Sequence, residues 1–134
     1  MKKIGLALSA VVLLSAAASA EEALPEACRG GQMGHMGHQM PGKMDMSGMN
    51  DMQKALAEGM DKMNSAMMPG MMIEDPDVAF VCSMIPHHQG AIDMAKVVRQ
   101  YGKDPWVKEM AQKVIDAQTQ EIADMKKWLS EHAK

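Results

Sequence analysis

Between Gln32 and Met40 the chain reads Gln-Met-Gly-His-Met-Gly-His-Gln-Met, and Met44, Met46, Met49 and Met52 follow. Thioethers and imidazoles thus recur one to four residues apart, with glycines as hinges. Several of Met33, His35, Met36, His38 and Met40 can wrap one ion without a preformed cage. Soft sulfur with borderline imidazole nitrogen favours Cu(I), with Ag(I) as its chemical mimic, whereas Mg and Ca demand oxygen ligands. The competing use of such a stretch is an adaptable Met-rich surface for partner proteins. Against it, no aliphatic anchor stands between Leu24 and Leu56, and greasy contact does not require interleaved histidine.

A second cluster lies at Met84, His87, His88 and Met94. At about 100° per residue on a helix, with Met84 as zero, His87 falls at about −60°, His88 at +40° and Met94 at −80°. Two thioethers and two imidazoles therefore share an arc of about 120°, with Ala91 between them. If the next helix folds back across a tight turn near residue 103, Met84 comes level with Glu121, His87 with Gln118, and Met125 lies one turn beyond Met84. Glu121 and Gln118 would then orient an imidazole or help to hold an oxidised copper ion. The ordinary alternative is core packing for Met84 and Met94 and a satisfied polar role for the histidines.

These groups need helices to position them. Asn50 with Gln53 is a capping-box pair, and Met52, Leu56, Met60, Met63 and Met67 recur on one face, so a helix is expected over residues 50–68, ended by Pro69-Gly70. Asp75-Pro76 opens a second helix that runs to Tyr101 and stops at Gly102. Asp104-Pro105 opens a third that reaches about Glu131, with Val107, Ala111, Val114, Gln118, Ile122, Met125 and Leu129 as its inward stripe. The short connection makes the last two helices antiparallel neighbours. Pro86 lies inside the second helix, removes one backbone hydrogen bond there and predicts a kink just before the histidines. Met68, Met71 and Met72 are read as an extension of the metal-binding surface. His132 is read as a favourable partner of a helix end or a neutral surface group.

Composition sets the class. The chain has 18 Met among 134 residues but one Phe, one Tyr and two Trp. Residues 1–20 resemble an export signal, with Lys2 and Lys3, an apolar run from Leu6 to Ala17 and Ala18-Ser19-Ala20. Their removal leaves 12 Lys and Arg against 17 Asp and Glu, net −5. That balance, without a basic run, argues against nucleic acid. No later apolar run reaches the ~18 residues of a membrane span. Phosphate-loop, G-x-S-x-G and H-E-x-x-H motifs are absent, so no enzyme is expected. Cys28 and Cys82 suit a disulfide in an exported chain; the competing reading is two thiols, with Cys82 as a buried hydrophobe or soft-metal ligand. The expected organisation is a signal at 1–20, a flexible Met/His-rich arm at 21–49 and an all-α domain at 50–134.

Residues 84–96, Met-Ile-Pro-His-His-Gln-Gly-Ala-Ile-Asp-Met-Ala-Lys, resemble the signature of domain-of-unknown-function family 305, which includes the ferritin-like, CopM-like periplasmic copper-binding proteins. Gln118-x-x-Glu121-Ile122-x-x-Met125-x-x-Trp128-Leu129 is similar to that family's second motif. The resemblance implies a small ferritin-like helical bundle and periplasmic copper binding, with Met84, His87, His88 and Met94 as ligands. It carries over no di-iron site, because helix two lacks the Glu-x-x-His pairs. Longer family members have more helices, so pairing of two chains is one way to complete the bundle.

The expectation is a periplasmic protein that sequesters Cu(I), or passes it to another periplasmic copper protein or an efflux component, and so contributes to copper tolerance. Its site residues are Met84, His87, His88, Met94, Glu121 and Met125 with the arm donors. The alternative is a Met-rich structural or interaction module whose methionines pack and buffer oxidation. A copper oxidase ranks last, since no acid–base pair or second metal site supports turnover.

Overall fold

The computed structural model describes residues 24–29 and 45–133. Three helices carry nearly all of it: α1 (Asp51–Met71), α2 (Pro76–Tyr101) and α3 (Pro105–His132), preceded by a 3₁₀ turn at Glu26–Cys28. No strand occurs among the described residues. The chain is a small all-α bundle.

Local signals account for the helix starts. The Asn50 side chain accepts the Gln53 N–H at 2.9 Å while Gln53 accepts the Asn50 N–H at 3.0 Å, so the capping box is complete. Asp75 accepts the N–H groups of Asp77 and Val78, and Asp104 that of Val107. Pro76 and Pro105 occupy first-turn positions, where no N–H is needed. Just upstream of α1, the Ser47 N–H bonds Asp45 and holds that exposed carboxyl below its usual pKa.

One stop differs from expectation. α1 continues through Pro69 to Met71 and closes with i→i+3 bonds, Met72 N–H to the Pro69 carbonyl at 3.3 Å and Ile73 N–H to the Gly70 carbonyl at 3.2 Å. Gly70 serves close approach rather than termination: a Cβ there would lie 2.9 Å from the Cys82 carbonyl carbon and from the Ser83 nitrogen and hydroxyl. α2 carries Pro86 inside it and runs on to Tyr101, as expected. Gly102 does end α2, in extended rather than left-handed backbone, because a Cβ would sit 2.5 Å from the Val98 carbonyl oxygen.

α2 is the axis of the bundle. α1 and α3 both pack along it and touch each other little. Gly90 meets Met63 of α1, whereas His88 and Arg99 meet Glu121 and Gln112 of α3. On α2 the bearing of Gly90 differs from those of His88 and Arg99 by about 160–180°, so α1 and α3 flank α2 on nearly opposite sides. Between them, over one face of α2, runs a groove of about 850 Å³ lined by Met63, Ile85, Gln89, Ile92 and Ile122 and bordered by Lys62, Lys96 and Lys126. The expected α3 stripe is the inward one, with Ala111 and Leu129 fully buried and its other members half-buried. On α1, Met52, Leu56, Met63 and Met67 turn inward, but Met60 is 47 % exposed. It sits at the edge of that arc, about 80° from Met52.

Cys28 and Cys82 form a disulfide with a Cα–Cα distance of 5.2 Å, so the thiol alternative falls away. Both are fully buried, in a cluster with Ile85 and Leu129. The bridge draws the 3₁₀ turn out of the expected arm and onto the end of the bundle.

The packing fixes three expectations for stability. Removing the bridge (Cys28→Ala with Cys82→Ala) frees a loop of 54 residues' separation and should lower unfolding free energy by about 4 kcal/mol in urea titration. Gly70→Ala should cost about 1–3 kcal/mol, since helix backbone would have to move. Gly90→Ala should cost less, because only the flexible Met63 side chain stands in its way and helix propensity improves by about 1 kcal/mol.

Candidate metal centre

The two adjacent histidines have different environments. His88 points at α3 and its side chain is only 13 % exposed. Its Nδ1 lies 2.9 Å from the Met84 carbonyl oxygen, which can only accept, so Nδ1 carries a proton. Its Nε2 lies 2.7 Å from Oε2 of Glu121, and that same oxygen accepts from Gln118 Nε2 at 3.0 Å. A proton must lie between Nε2 and the carboxylate. His88 is thus oriented at both nitrogens, and a metal could take Nε2 only by displacing Glu121.

His87 is the reverse case. It is exposed, makes no hydrogen bond among the described residues, and meets His88 edge-on with ring centroids 5.9 Å apart. One ring is fixed and the other is free to accept a ligand.

This geometry corrects the expected register by one turn. Glu121 sits opposite His88, not Met84, and counting one turn along each antiparallel helix brings Met84 level with Met125. The spacing centres the hairpin near residue 103, whereas the His88–Glu121 pair centres it between residues 104 and 105. Glu121 meets an imidazole, that of His88, whereas Gln118 donates to Glu121 rather than accepting from a ring. Met84 and Met125 are half-buried, and Met94 is 43 % exposed, two turns past His87 on the same side of α2. His88 leaves the shared arc for α3. Of the expected set, Met84, His87 and Met94 remain on the open face beside the His88–Glu121 pair.

Met33, His35, Met36, His38 and Met40 lie outside the described residues. Met68, Met71 and Met72 are 38, 60 and 53 % exposed, at the α1 end remote from Met94. His132 stacks on Trp128 at 4.7 Å, with its Nδ1 against the Trp128 carbonyl at 2.9 Å. That local role explains it without a ligand. The sequence reading passed over Phe80 and Tyr101, which are 64 and 40 % exposed and continue the column of His87 and Met94 at seven-residue steps. The seven-residue spacing was the available signal.

Among the described residues no three His, Cys, Asp or Glu side chains form a group able to hold a metal ion. Met84 and Met94 offer thioether sulfur on this face and His87 an imidazole, a donor set that suits Cu(I) better than zinc or hard cations. The residues present fit that ion.

Comparison with known proteins adds a family. The model of the domain of unknown function DUF305 matches residues 12–129, most of the chain. An uncharacterized protein of Acanthamoeba polyphaga mimivirus is 40 % identical over 55 residues, which cover 41 % of this chain and 36 % of the viral protein. The chain thus spans well under two thirds of that relative's length.

The histidine assignment is testable by ¹⁵N NMR of the metal-free protein. His88 should show a protonated Nδ1, while Glu121→Gln should change its Nε2 signal and leave His87 unaltered. Unfolding free energy should change by less than about 1 kcal/mol, since Glu121 is half-exposed.

Proposed function

The chain belongs to the DUF305 family, and we propose that it is a periplasmic copper-binding protein that sequesters Cu(I) or delivers it to another copper protein. The observation that carries this reading is the set Met84, His87 and Met94 on one open face of α2, beside a histidine already oriented by Glu121. Thioethers and a free imidazole without a carboxylate cage select a soft monovalent ion, Cu(I) or its mimic Ag(I).

Met33, His35, Met36, His38 and Met40 supply further donors of the same chemistry. They belong to a segment whose two ends are anchored on the bundle, one through the Cys28–Cys82 bridge and the other through α1. Capture by that segment and retention on α2 is the division of labour we propose. Neutral thioether donors suit exchange, because a methionine need not lose a proton to bind, as a thiolate must. The disulfide and the signal-like residues 1–20 support an oxidising compartment outside the cytoplasm. No helix among the described residues is long and apolar enough to cross a membrane.

The test is anaerobic Cu(I) titration against a chelator of micromolar affinity, with stoichiometry read by native mass spectrometry. The full-length mature chain should bind several ions. Deleting residues 30–44 should leave one or two, and Met84→Leu with His87→Gln should then abolish the remainder. Failure of the intact protein to compete for Cu(I) would reject the reading.

A further inference from the structure

We infer that the open face of α2 is a self-association surface, on which two copies pair their α2 helices antiparallel and bring Met84 and His87 of one copy beside Met94 of the second. The starting observation is an imbalance between core and surface. Among the described residues seven apolar ones are buried, two of them the bridged cysteines, while nine large apolar side chains are exposed. Phe80, Tyr101 and Trp106 are among the exposed nine at 64, 40 and 67 %, leaving Trp128 as the one half-buried aromatic. A scattered exposed Leu needs no explanation, but most of a chain's aromatic area gathered in solvent does.

Most of these side chains lie on one face. On α2 the groove-lining residues run from Ile92 at about +80° through Lys96, Gln89 and Asp93 to Gly90 at about −120°, centred near +150° from Met84, whereas Phe80, His87, Met94 and Tyr101 lie between about −40° and −100°. The column therefore faces away from the centre of the groove by about 140°. On α1 the groove takes Lys62 and Ala66, and Met60 and Met71 fall on the other flank. On α3 the groove takes Thr119 and Lys126, and Trp106 and Met110 fall on the other flank. Along α2 charge divides the same way. The groove carries Lys62, Lys96, Lys126 and Asp93, while no charged residue of α2 lies within about 70° of His87. Depletion of charge with enrichment of aromatics and methionine is the composition of an interface centre.

The spacing names the occupant. Phe80, His87, Met94 and Tyr101 form one column at seven-residue steps, and Met84, Ala91 and Val98 form a second between them. Two such columns are the a and d seam of a paired helix. In an antiparallel pair each column faces the other column of its partner. The register with the fullest overlap is centred at residue 89, close to the midpoint of Pro76–Tyr101. It sets Phe80 against Val98 of the second copy, Met84 against Met94, and His87 against Ala91, mostly larger side chains opposite smaller ones. The match is self-complementary, as a two-fold interface requires. A 26-residue helix is about 39 Å long. With flanking helices 8–10 Å away, the face offers on the order of 800–1,000 Å² per copy, which is what a stable dimer needs. The same register gathers Met84, His87 and the second copy's Met94 within one turn, twice per dimer. Pairing stands on the apolar face alone; the shared metal site rests on the copper reading above.

Sedimentation velocity of the metal-free mature protein at micromolar concentrations should show a dimer. Phe80→Asp, which alters an exposed side chain and no proposed ligand, should give a monomer of unchanged helicity and melting temperature. Ala91→Cys should be linked between copies by a short bis-maleimide, and Gln100→Cys, on the groove side, should not. A wild-type monomer throughout this range, with no Ala91→Cys cross-linking, would overturn the pairing. Cu(I) should then tighten the dimer about tenfold or more. Cu(I) bound to Phe80→Asp monomers with wild-type stoichiometry and affinity would overturn the shared site and leave copper binding standing. A metal-free dimer that binds no Cu(I) would sustain the pairing and reject the copper reading.

Discussion

The bundle depends on the close approach of α1 and α2 at Gly70 and Cys82. There the α1 backbone rests against the α2 backbone without an intervening side chain, and the Cys82 sulfur is committed to Cys28 in the adjoining core. A chain with four aromatic residues and methionine as its commonest large apolar side chain has little rigid bulk with which to define a core. Close backbone contact and a covalent bridge supply the rigidity that side chains do not. Everything else is referred to α2, which the two flanking helices hold from nearly opposite sides.

That central position shapes the chemistry. A helix gripped on two opposite sides has two open faces. In α2 one is the groove with its lysines and the other carries Met84, His87 and Met94. His88 lies toward α3, where Glu121 and Gln118 fix its ring. Adjacent residues on a helix differ by about 100°, and this offset divides a fixed imidazole from a free one. The flexible thioethers around them can adjust to an ion at small cost, because methionine turns about three single bonds.

The helix starts, their proline and aspartate signals, the inward stripe of α3 and the His-Met face of α2 were all legible along the chain. Asn50-Gln53, Asp75-Pro76 and Asp104-Pro105 act within one turn, so their effect needs no knowledge of the fold. The approach of Glu121 to an imidazole was legible too, but one turn out of place. A proline is a less decisive signal: Pro69 reads as a helix stop, yet α1 carries it inside and ends two residues later at Met71.

What the sequence determined by itself was local: where helices begin, which side of each is apolar, and which donor types share an arc. Tertiary structure alone decided that Cys28 bonds Cys82, that Glu121 faces His88, that Gly70 is a contact rather than a stop, and that Phe80 and Tyr101 remain in solvent beside His87 and Met94. The physical reason is one of range. Caps and periodicity are settled by bonds across three or four residues, whereas register between helices is settled by packing of side chains and backbones distant in the chain.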